Sequence, residues 1–133
     1  MNAIAQDGIR QRLMQQLAAG RVPHALLFCG PEGCGKLAMA VEFAQALIEH
    51  GADERGRRMA EGLVHPDLHF VFPVAGEKVT SSDFIRKWRD LFVRNPFFME
   101  NELYEALEIE KKASSISVAD AKNILNELSL SSF

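Results

Sequence analysis

The chain has 133 residues, which is enough for at most one ordinary domain, and its 47% hydrophobic and 25% charged residues are typical of a globular protein. Its formal net charge of −3 argues against strong electrostatic DNA binding by this chain alone, although not against DNA binding by a larger assembly. Cys29 and Cys34 are too few for a disulfide framework or a cysteine zinc site, and no apolar run approaches the ~20 residues that span a bilayer. We therefore expect a reducing, cytoplasmic location and no membrane contact.

The first half of the chain alternates predicted helices with one predicted strand. Apolar residues at helical spacing predict a helix over residues 4–19. The continuous apolar run at 24–29 predicts a buried strand of the kind found in parallel sheets. A helix over 37–49 is apolar on nearly every face and should be deeply buried. Residues 50–62 interleave arginines with acidic residues, which predicts a solvated loop.

The second half predicts one short strand followed by three helices. The strand covers 68–74, where Pro66 and Pro73 limit its length. Ser82 can cap a helix that runs to about Arg94 and ends at Asn95-Pro96, and Asn101 can cap the next helix. Ser117 caps the last helix, which extends to about Ser129. The predicted core face of this last helix consists of Ala121, Ile124, Leu125 and Leu128.

Aromatic residues cluster around the predicted helix 82–94. A platform for stacking nucleic-acid bases would use such residues, usually with basic residues between them. Here the aromatic residues recur at helical spacing without alternating lysines, so we favour core packing or a partner interface. The residues concerned are Phe84, Trp88, Phe92, Phe97 and Phe98.

The motif around which the chain is organised lies between the first strand and the buried helix. A strand, a glycine-rich loop, a lysine and a helix form the arrangement that binds phosphate in P-loop proteins. The glycines permit a tight turn with inward N–H groups, the helix contributes its positive dipole end, and Lys36 would reach the β- and γ-phosphates. The predicted nucleotide-binding residues are Gly30, Pro31, Gly33, Cys34, Gly35, Lys36 and Leu37.

The motif lacks both groups that usually position Mg²⁺. It calls for Ser or Thr after the lysine, and this chain has Leu37, whose isobutyl group cannot ligate a hard cation. No apolar strand ending in Asp follows, since Asp67 precedes its strand. We expect ATP or ADP to bind with Mg²⁺ poorly held and without hydrolysis, so no catalytic or metal-ligating residue is assigned. A loop that keeps the turn geometry but binds nothing is the alternative.

Other reactive side chains have two interpretations each. Cys34 lies in the loop at a helix N-terminus, so it is either a redox-active thiol or a small residue that the loop tolerates. Cys29 is predicted to be a small buried strand residue. His65 and His69 are four residues apart, but Pro66 between them argues against a helical metal pair.

Several segments resemble, in order, the start of the bacterial DNA polymerase III clamp-loader subunits γ/τ and δ′, which are AAA+ proteins. Residues 21–36, which run from Arg21-Val22-Pro23-His24 into the glycine-rich loop, carry the strongest likeness. Ile4-Ala5-Gln6 resembles the family's opening "(V/I)-G-Q", with Ala5 in place of Gly. His65-Pro66-Asp67 resembles the "H-P-D" before the next strand, and Ile116-Ser117-Val118 resembles the entry to the helix before the Walker B strand.

The resemblance implies an α/β fold, namely a helix-rich, incomplete P-loop NTPase (AAA+) base with a short parallel sheet and flanking helices. Residues 1–133 would be the N-terminal fragment of that module, without the rest of the base, the lid and the collar. It implies partnership with the γ/τ and δ subunits and, through the complex, with the sliding clamp and primer–template DNA. In the resemblance, His24 would lie near the nucleotide's base; an ordinary hydrogen-bonded edge histidine is the alternative.

Three departures from the family's pattern favour δ′. Phe72-Pro73-Val74 and the aromatic helix 82–94 are unusual for γ/τ. Leu37 replaces the metal-binding hydroxyl residue, and δ′ is the family's subunit that does not need to hydrolyse ATP. Residues 50–64 lack the four zinc-binding cysteines that many members carry, so no zinc is expected. The resemblance therefore predicts a stator in the ring that loads the sliding clamp.

Two other classes of function remain open. One is a competent P-loop ATPase or kinase whose Walker B half lies beyond residue 133, which the intact glycine spacing and Lys36 favour. The other is an interaction domain that uses the loop only for structure. Few strands and exposed sheet edges also predict self-association of the chain.

Overall fold

The structure is a computed structural model that describes residues 7–130, so the expectation for Ile4-Ala5-Gln6 lies outside the described residues. The described part is mainly helical and divides into two compact units, one up to Leu68 and one from His69 onward. Its helices are α1 (Asp7–Ala18), α2 (Lys36–Glu49), α3 (Glu54–Glu61), α4 (Ser81–Arg94), α5 (Glu100–Leu107) and α6 (Val118–Leu128), with a 3-10 turn at Lys111–Ala113.

The predicted α/β fold with a short parallel sheet is wrong. Within residues 7–130, β pairing is limited to one isolated antiparallel bridge, in which Val74 and Ser115 exchange N–H···O bonds of 2.9 and 3.0 Å. Residues 24–29 form no strand, and Leu27 is 87% exposed. An apolar run becomes a strand only where another strand forms hydrogen bonds with its backbone N–H and C=O groups. No described segment does so for residues 24–29, so the incomplete AAA+ base inferred from the sequence is not observed.

The first unit packs α1 and α3 against α2. Leu13 of α1 is buried, as the predicted apolar stripe requires, while Ile9 of the same stripe is 42% exposed. The Arg10 guanidinium lies 3.3 Å from a Glu42 carboxylate oxygen and so links α1 to α2. The amide of Gln45 donates to the carbonyl of Ala60 and links α2 to α3. The buried apolar residues of this unit are Leu13, Ala38, Met39, Val41, Phe43, Ala60 and Leu63.

Helix α3 corrects the prediction of a loop over residues 50–62. The Asp53 side chain caps it by accepting the N–H of Gly56 at 2.7 Å, and Glu54 and Arg58 form an exposed ion pair one turn apart. Ala60 is completely buried. A single buried residue in eight gives little apolar periodicity, and for that reason the arginine-rich sequence is typical of a loop.

The second unit has an aromatic core around α4. Trp88 is 3% exposed and stacks with Phe70, Phe72 and Phe92 at ring-centroid distances of 4.3, 6.0 and 5.2 Å. Phe92 is fully buried. Core packing is therefore confirmed for Trp88 and Phe92, while Phe84, Phe97 and Phe98 are half-buried.

A buried polar contact joins α6 to the start of α4. The Asp120 carboxylate, 4% exposed, accepts the backbone N–H of Ser81 at 2.9 Å and the Ser81 hydroxyl at 2.9 Å. The same hydroxyl oxygen accepts the N–H of Phe72 at 3.1 Å. Ser117 caps α6 as predicted, by accepting the N–H of Asp120 at 3.1 Å. Asp120 thus places a carboxylate at the positive end of α4, where it is favourable.

Two details of this unit differ from the predictions. Helix α4 is capped at Thr80 rather than Ser82, since the Asp83 carboxylate accepts the Thr80 N–H at 2.8 Å, and α5 is capped at Met99 rather than Asn101. The predicted core face of α6 is exposed: Ile124, Leu125 and Leu128 are 40%, 68% and 76% accessible. Ala121 is exposed as well.

Candidate functional site

The glycine-rich loop keeps the backbone shape that its sequence predicts. Gly33 and Gly35 have φ values of 81° and 91°, which only glycine adopts without strain. Helix α2 begins directly after Gly35, at Lys36. Within the described residues, no carbonyl or side chain accepts the N–H of Gly33 or Gly35. Left-handed turns with free N–H groups at a helix start form a concave site suited to anions.

Lys36 lies over the loop rather than extending away from it. Its ammonium donates to the carbonyl oxygen of Gly30 at 2.9 Å, across the turn that Pro31 begins. This contact holds a positive charge at the carbonyl of Gly30, the first residue of the glycine-rich loop. The side chain remains exposed, so an anion can reach it. The loop therefore carries a lysine ammonium on the same turn as the N–H groups of Gly33 and Gly35.

Leu37 is half-buried in the first turn of α2. Its side chain carries no oxygen, so the position that normally supplies a hydroxyl to Mg²⁺ supplies only apolar surface. Elsewhere in residues 7–130, no group of three or more His, Cys, Asp or Glu side chains is arranged to hold a metal ion. An Mg²⁺ ion would find no ligand at Leu37.

A cavity of about 370 Å³ adjoins the loop within the first unit. Both cysteines and Lys36 line it, and apolar side chains from α1, α2 and the segment before the loop form its other walls. Sequence reasoning identified Lys36 and Cys34 but missed the contribution of α1. The stripe that contains Ile9 and Leu13 was the available signal, although only the packing of α1 on α2 places it here. The apolar lining residues are Ile9, Leu13, Leu26, Leu27, Phe28 and Met39.

Gly30 permits a close approach between the two ends of the loop. A Cβ atom on Gly30 would lie 2.6 Å from Cys34 Sγ, well inside van der Waals contact. The Cys34 N–H donates to the Pro31 carbonyl at 3.2 Å, which closes the turn. Cys29, predicted to be buried, is exposed. The loop is thus compact, with one sulfur atom inside the turn and one at its edge.

The histidines do not join this site. His24 is exposed in a segment without regular structure. The ring Nδ1 of His65 accepts the N–H of Asp67 at 3.0 Å, which stabilises a turn before Leu68. His69 lies 3.6 Å from Glu127 in the second unit. The His65-Pro66-Asp67 segment is therefore a turn in which the histidine has a structural role.

Comparison with known families identifies the class of protein. The family described as "DNA polymerase III, delta subunit" matches residues 5–133. This match covers almost the whole chain, and the chain belongs to that family. It is therefore a DNA polymerase III clamp-loader-type protein of DNA replication, as the sequence resemblance indicated. Comparisons with curated proteins and with solved structures found no significant match.

The family places the protein with the other subunits of the DNA polymerase III clamp loader. None of the helices within residues 7–130 has the length and apolar character needed to cross a membrane.

Proposed function

We propose that this chain is a δ′-like subunit of the clamp loader, a stator with a degenerate nucleotide site that holds ATP or ADP without hydrolysing it. Family membership supports the clamp-loader role. The observation that carries the rest is the pairing of Lys36, held over a loop with free N–H groups, with Leu37 in the position of the metal-binding hydroxyl. Phosphate contacts remain available while a Mg²⁺ ligand is missing.

A site of this kind can bind a nucleotide without hydrolysing it, because the two processes depend on different groups. Backbone N–H groups and the Lys36 ammonium interact with phosphate oxygens in both the ground state and the transition state, so they support binding. In phosphoryl transfer, Mg²⁺ neutralises charge that develops as the bond to the leaving group breaks. Loss of a metal ligand therefore reduces turnover far more than it reduces affinity.

Calorimetric titration with ADP and ATP, with and without Mg²⁺, tests nucleotide binding. We expect binding by the unmodified chain with little dependence on Mg²⁺, and at least tenfold weaker binding by Lys36→Ala. The matched control is Lys122→Ala, which removes an exposed lysine from α6 and should bind as the unmodified chain does. Equal affinity of Lys36→Ala and the unmodified chain would contradict the proposed site.

Substitution of Leu37 tests the degenerate character of the site. Leu37→Thr restores a hydroxyl group and should make ADP binding stronger in the presence of Mg²⁺. Leu37→Val has nearly the same shape as threonine without the hydroxyl and should show no such effect. If the two variants respond equally to Mg²⁺, the missing hydroxyl is not what limits metal binding.

The stator role is tested in a reconstituted clamp loader that contains the γ/τ and δ subunits, the sliding clamp and primer–template DNA. Lys36→Ala in this chain should leave DNA-dependent ATP hydrolysis and clamp loading within about twofold of the unmodified complex. A loss of hydrolysis would instead favour a competent ATPase, which the intact glycine spacing and Lys36 allow. An unchanged rate in the absence of this subunit would refute its membership of the active ring.

A further inference from the structure

The two cysteines of the chain lie at the two ends of the candidate phosphate loop. Cys29 immediately precedes Gly30, and Cys34 immediately precedes Gly35. Both are free thiols that line the same cavity, together with Lys36. Cys29 is exposed and Cys34 is half-buried. An oxidant in solvent can therefore reach Cys29 first, while Cys34 stays sheltered nearby.

The turn places the sulfur of Cys34 next to Gly30, the residue that follows Cys29. Cys34 Sγ lies 2.6 Å from the position of a Cβ on Gly30. It is therefore within about 4 Å of Gly30 Cα, since a carbon–carbon bond measures about 1.5 Å. Gly30 directly follows Cys29, and both cysteines line the same cavity. A disulfide joins Cα atoms roughly 4.4–6.8 Å apart, and the glycine-rich turn, with Gly33 and Gly35 at positive φ, is the segment whose backbone would adjust to reach that separation.

We propose that Cys29 and Cys34 are a redox-responsive pair, which forms an intramolecular disulfide across the phosphate loop. The oxidant is a low-molecular-weight disulfide. The Cys29 thiolate attacks one sulfur of this molecule, which forms a mixed disulfide and releases one thiol. The Cys34 thiolate then attacks the Cys29 sulfur and expels the second thiol. The two cysteines lose two electrons and two protons, and the oxidant gains both.

The disulfide would change the loop that surrounds Lys36. The closed ring contains Gly30, whose carbonyl accepts the lysine ammonium, and Gly33, whose N–H faces no described acceptor. Bond formation closes a covalent ring over residues 29–34 and so fixes the turn. We expect the oxidised loop to bind phosphate groups more weakly. This second expectation rests on the proposed nucleotide site, whereas disulfide formation does not.

Mass spectrometry tests the disulfide directly. The reduced full chain is incubated with glutathione disulfide at increasing ratios to glutathione, quenched with a thiol-blocking reagent and digested. We expect a peptide linking Cys29 to Cys34 with a mass about 2 Da below the dithiol form. Cys29→Ser and Cys34→Ser are the controls, and each should stop at a mixed disulfide with one glutathione. Stable glutathione adducts on both cysteines of the unmodified chain, or links only between chains, would overturn the proposal.

A paired titration separates this proposal from the proposed function. ADP binding is measured on the reduced chain, on the oxidised chain, and on the oxidised chain after reduction with dithiothreitol. We expect oxidation to weaken ADP binding at least fivefold, and subsequent reduction to restore the affinity of the reduced chain to within about twofold. Unchanged ADP affinity after complete disulfide formation would overturn the effect on the loop. A reduced chain that binds no ADP would refute the nucleotide site, while the linked peptide still decides whether the disulfide forms.

Discussion

At the scale of single residues, the least predictable contact is that of Asp120. From sequence, it is an acidic residue in the first turn of α6, where a negative charge is favourable. In the structure it is buried, and its carboxylate also accepts two hydrogen bonds from Ser81, 39 positions earlier in the chain. The carboxylate thus acts at the start of two helices at once. Only the fold brings Ser81 within reach.

Asp120→Asn should destabilise the protein by about 1–3 kcal/mol, because the amide accepts fewer hydrogen bonds and leaves a buried donor of Ser81 unpaired. Urea unfolding followed by the fluorescence of the single tryptophan, Trp88, measures this change. Asp90→Asn, on the exposed surface of α4, should change stability by less than about 0.5 kcal/mol. Equal effects of the two substitutions would mean that burial of Asp120 contributes nothing.

Gly30→Ala should destabilise the loop by about 0.5–1.5 kcal/mol, because its methyl group would meet Cys34 Sγ at 2.6 Å and the Cys34 side chain must rotate out of its present conformation. The double variant Gly30→Ala/Cys34→Ala should recover most of that loss, since the clashing sulfur is gone. Gly8→Ala in α1 is the contrasting control. Among residues 7–130, no heavy atom outside the chain neighbours and its own helix backbone lies within 4 Å of its new methyl group, so it should stabilise the helix by roughly 0.5–1 kcal/mol. Thermal unfolding of the four proteins measures these differences. A double variant that is as unstable as Gly30→Ala would refute the steric argument.

At the scale of elements, α4 shows how a helix pattern and a tertiary core reinforce each other. The spacing of Phe84, Trp88 and Phe92 predicted one apolar face, and Trp88 and Phe92 are buried. Phe70 and Phe72, which the sequence assigned to a strand, stack on that face without forming one. The apolar alternation therefore correctly predicted that Phe70 and Phe72 pack inward. It did not predict the backbone hydrogen bonds of this segment.

Trp88→Ala should destabilise the protein by about 3–5 kcal/mol, since it removes the ring on which three aromatic side chains stack. Far-UV circular dichroism during urea unfolding measures the loss without needing the tryptophan. Val93→Ala, a truncation at a position 67% exposed on the same helix, should cost less than about 0.5 kcal/mol. A small effect at Trp88 would contradict the aromatic core.

At the scale of the whole molecule, the notable feature is apolar surface on α6. Leu125 and Leu128 are 68% and 76% exposed, and neighbouring Ile124 is 40% exposed. Apolar side chains at helical spacing normally face a core. Exposed in this number, they favour association between molecules. The sequence analysis predicted self-association through exposed sheet edges, but residues 7–130 form no sheet. Self-association stays a prediction, and we expect the apolar face of α6 to mediate it.

The double variant Leu125→Glu/Leu128→Glu should lower the average mass in light scattering at high protein concentration, because two charges replace apolar contact area. Lys122→Glu is the matched control, since it alters the net charge of α6 equally by −2 but removes no apolar side chain. It should leave the average mass unchanged. A monodisperse monomer for the unmodified chain would refute self-association.

Sequence alone determined the local features of this protein. The glycine-rich loop, the start of α2 near Lys36 and the Ser117 cap depend on residues only a few positions apart, and all three are present. The family, too, followed from motifs in their order along the chain, as the match to residues 5–133 confirms. Local φ preferences and capping bonds need no distant partner, so short segments encode them.

Only the tertiary structure decided which segments pair and which faces are buried. Residues 24–29 are as apolar as a buried strand, but they do not form one. A strand depends on hydrogen bonds from a second segment. The apolar face of α6 is exposed, and α3 forms where charge predicted a loop, because burial depends on what packs against a surface. The contact of Cys34 with Gly30 and the cavity beside Lys36 likewise arise from three-dimensional packing, which residue spacing alone does not specify.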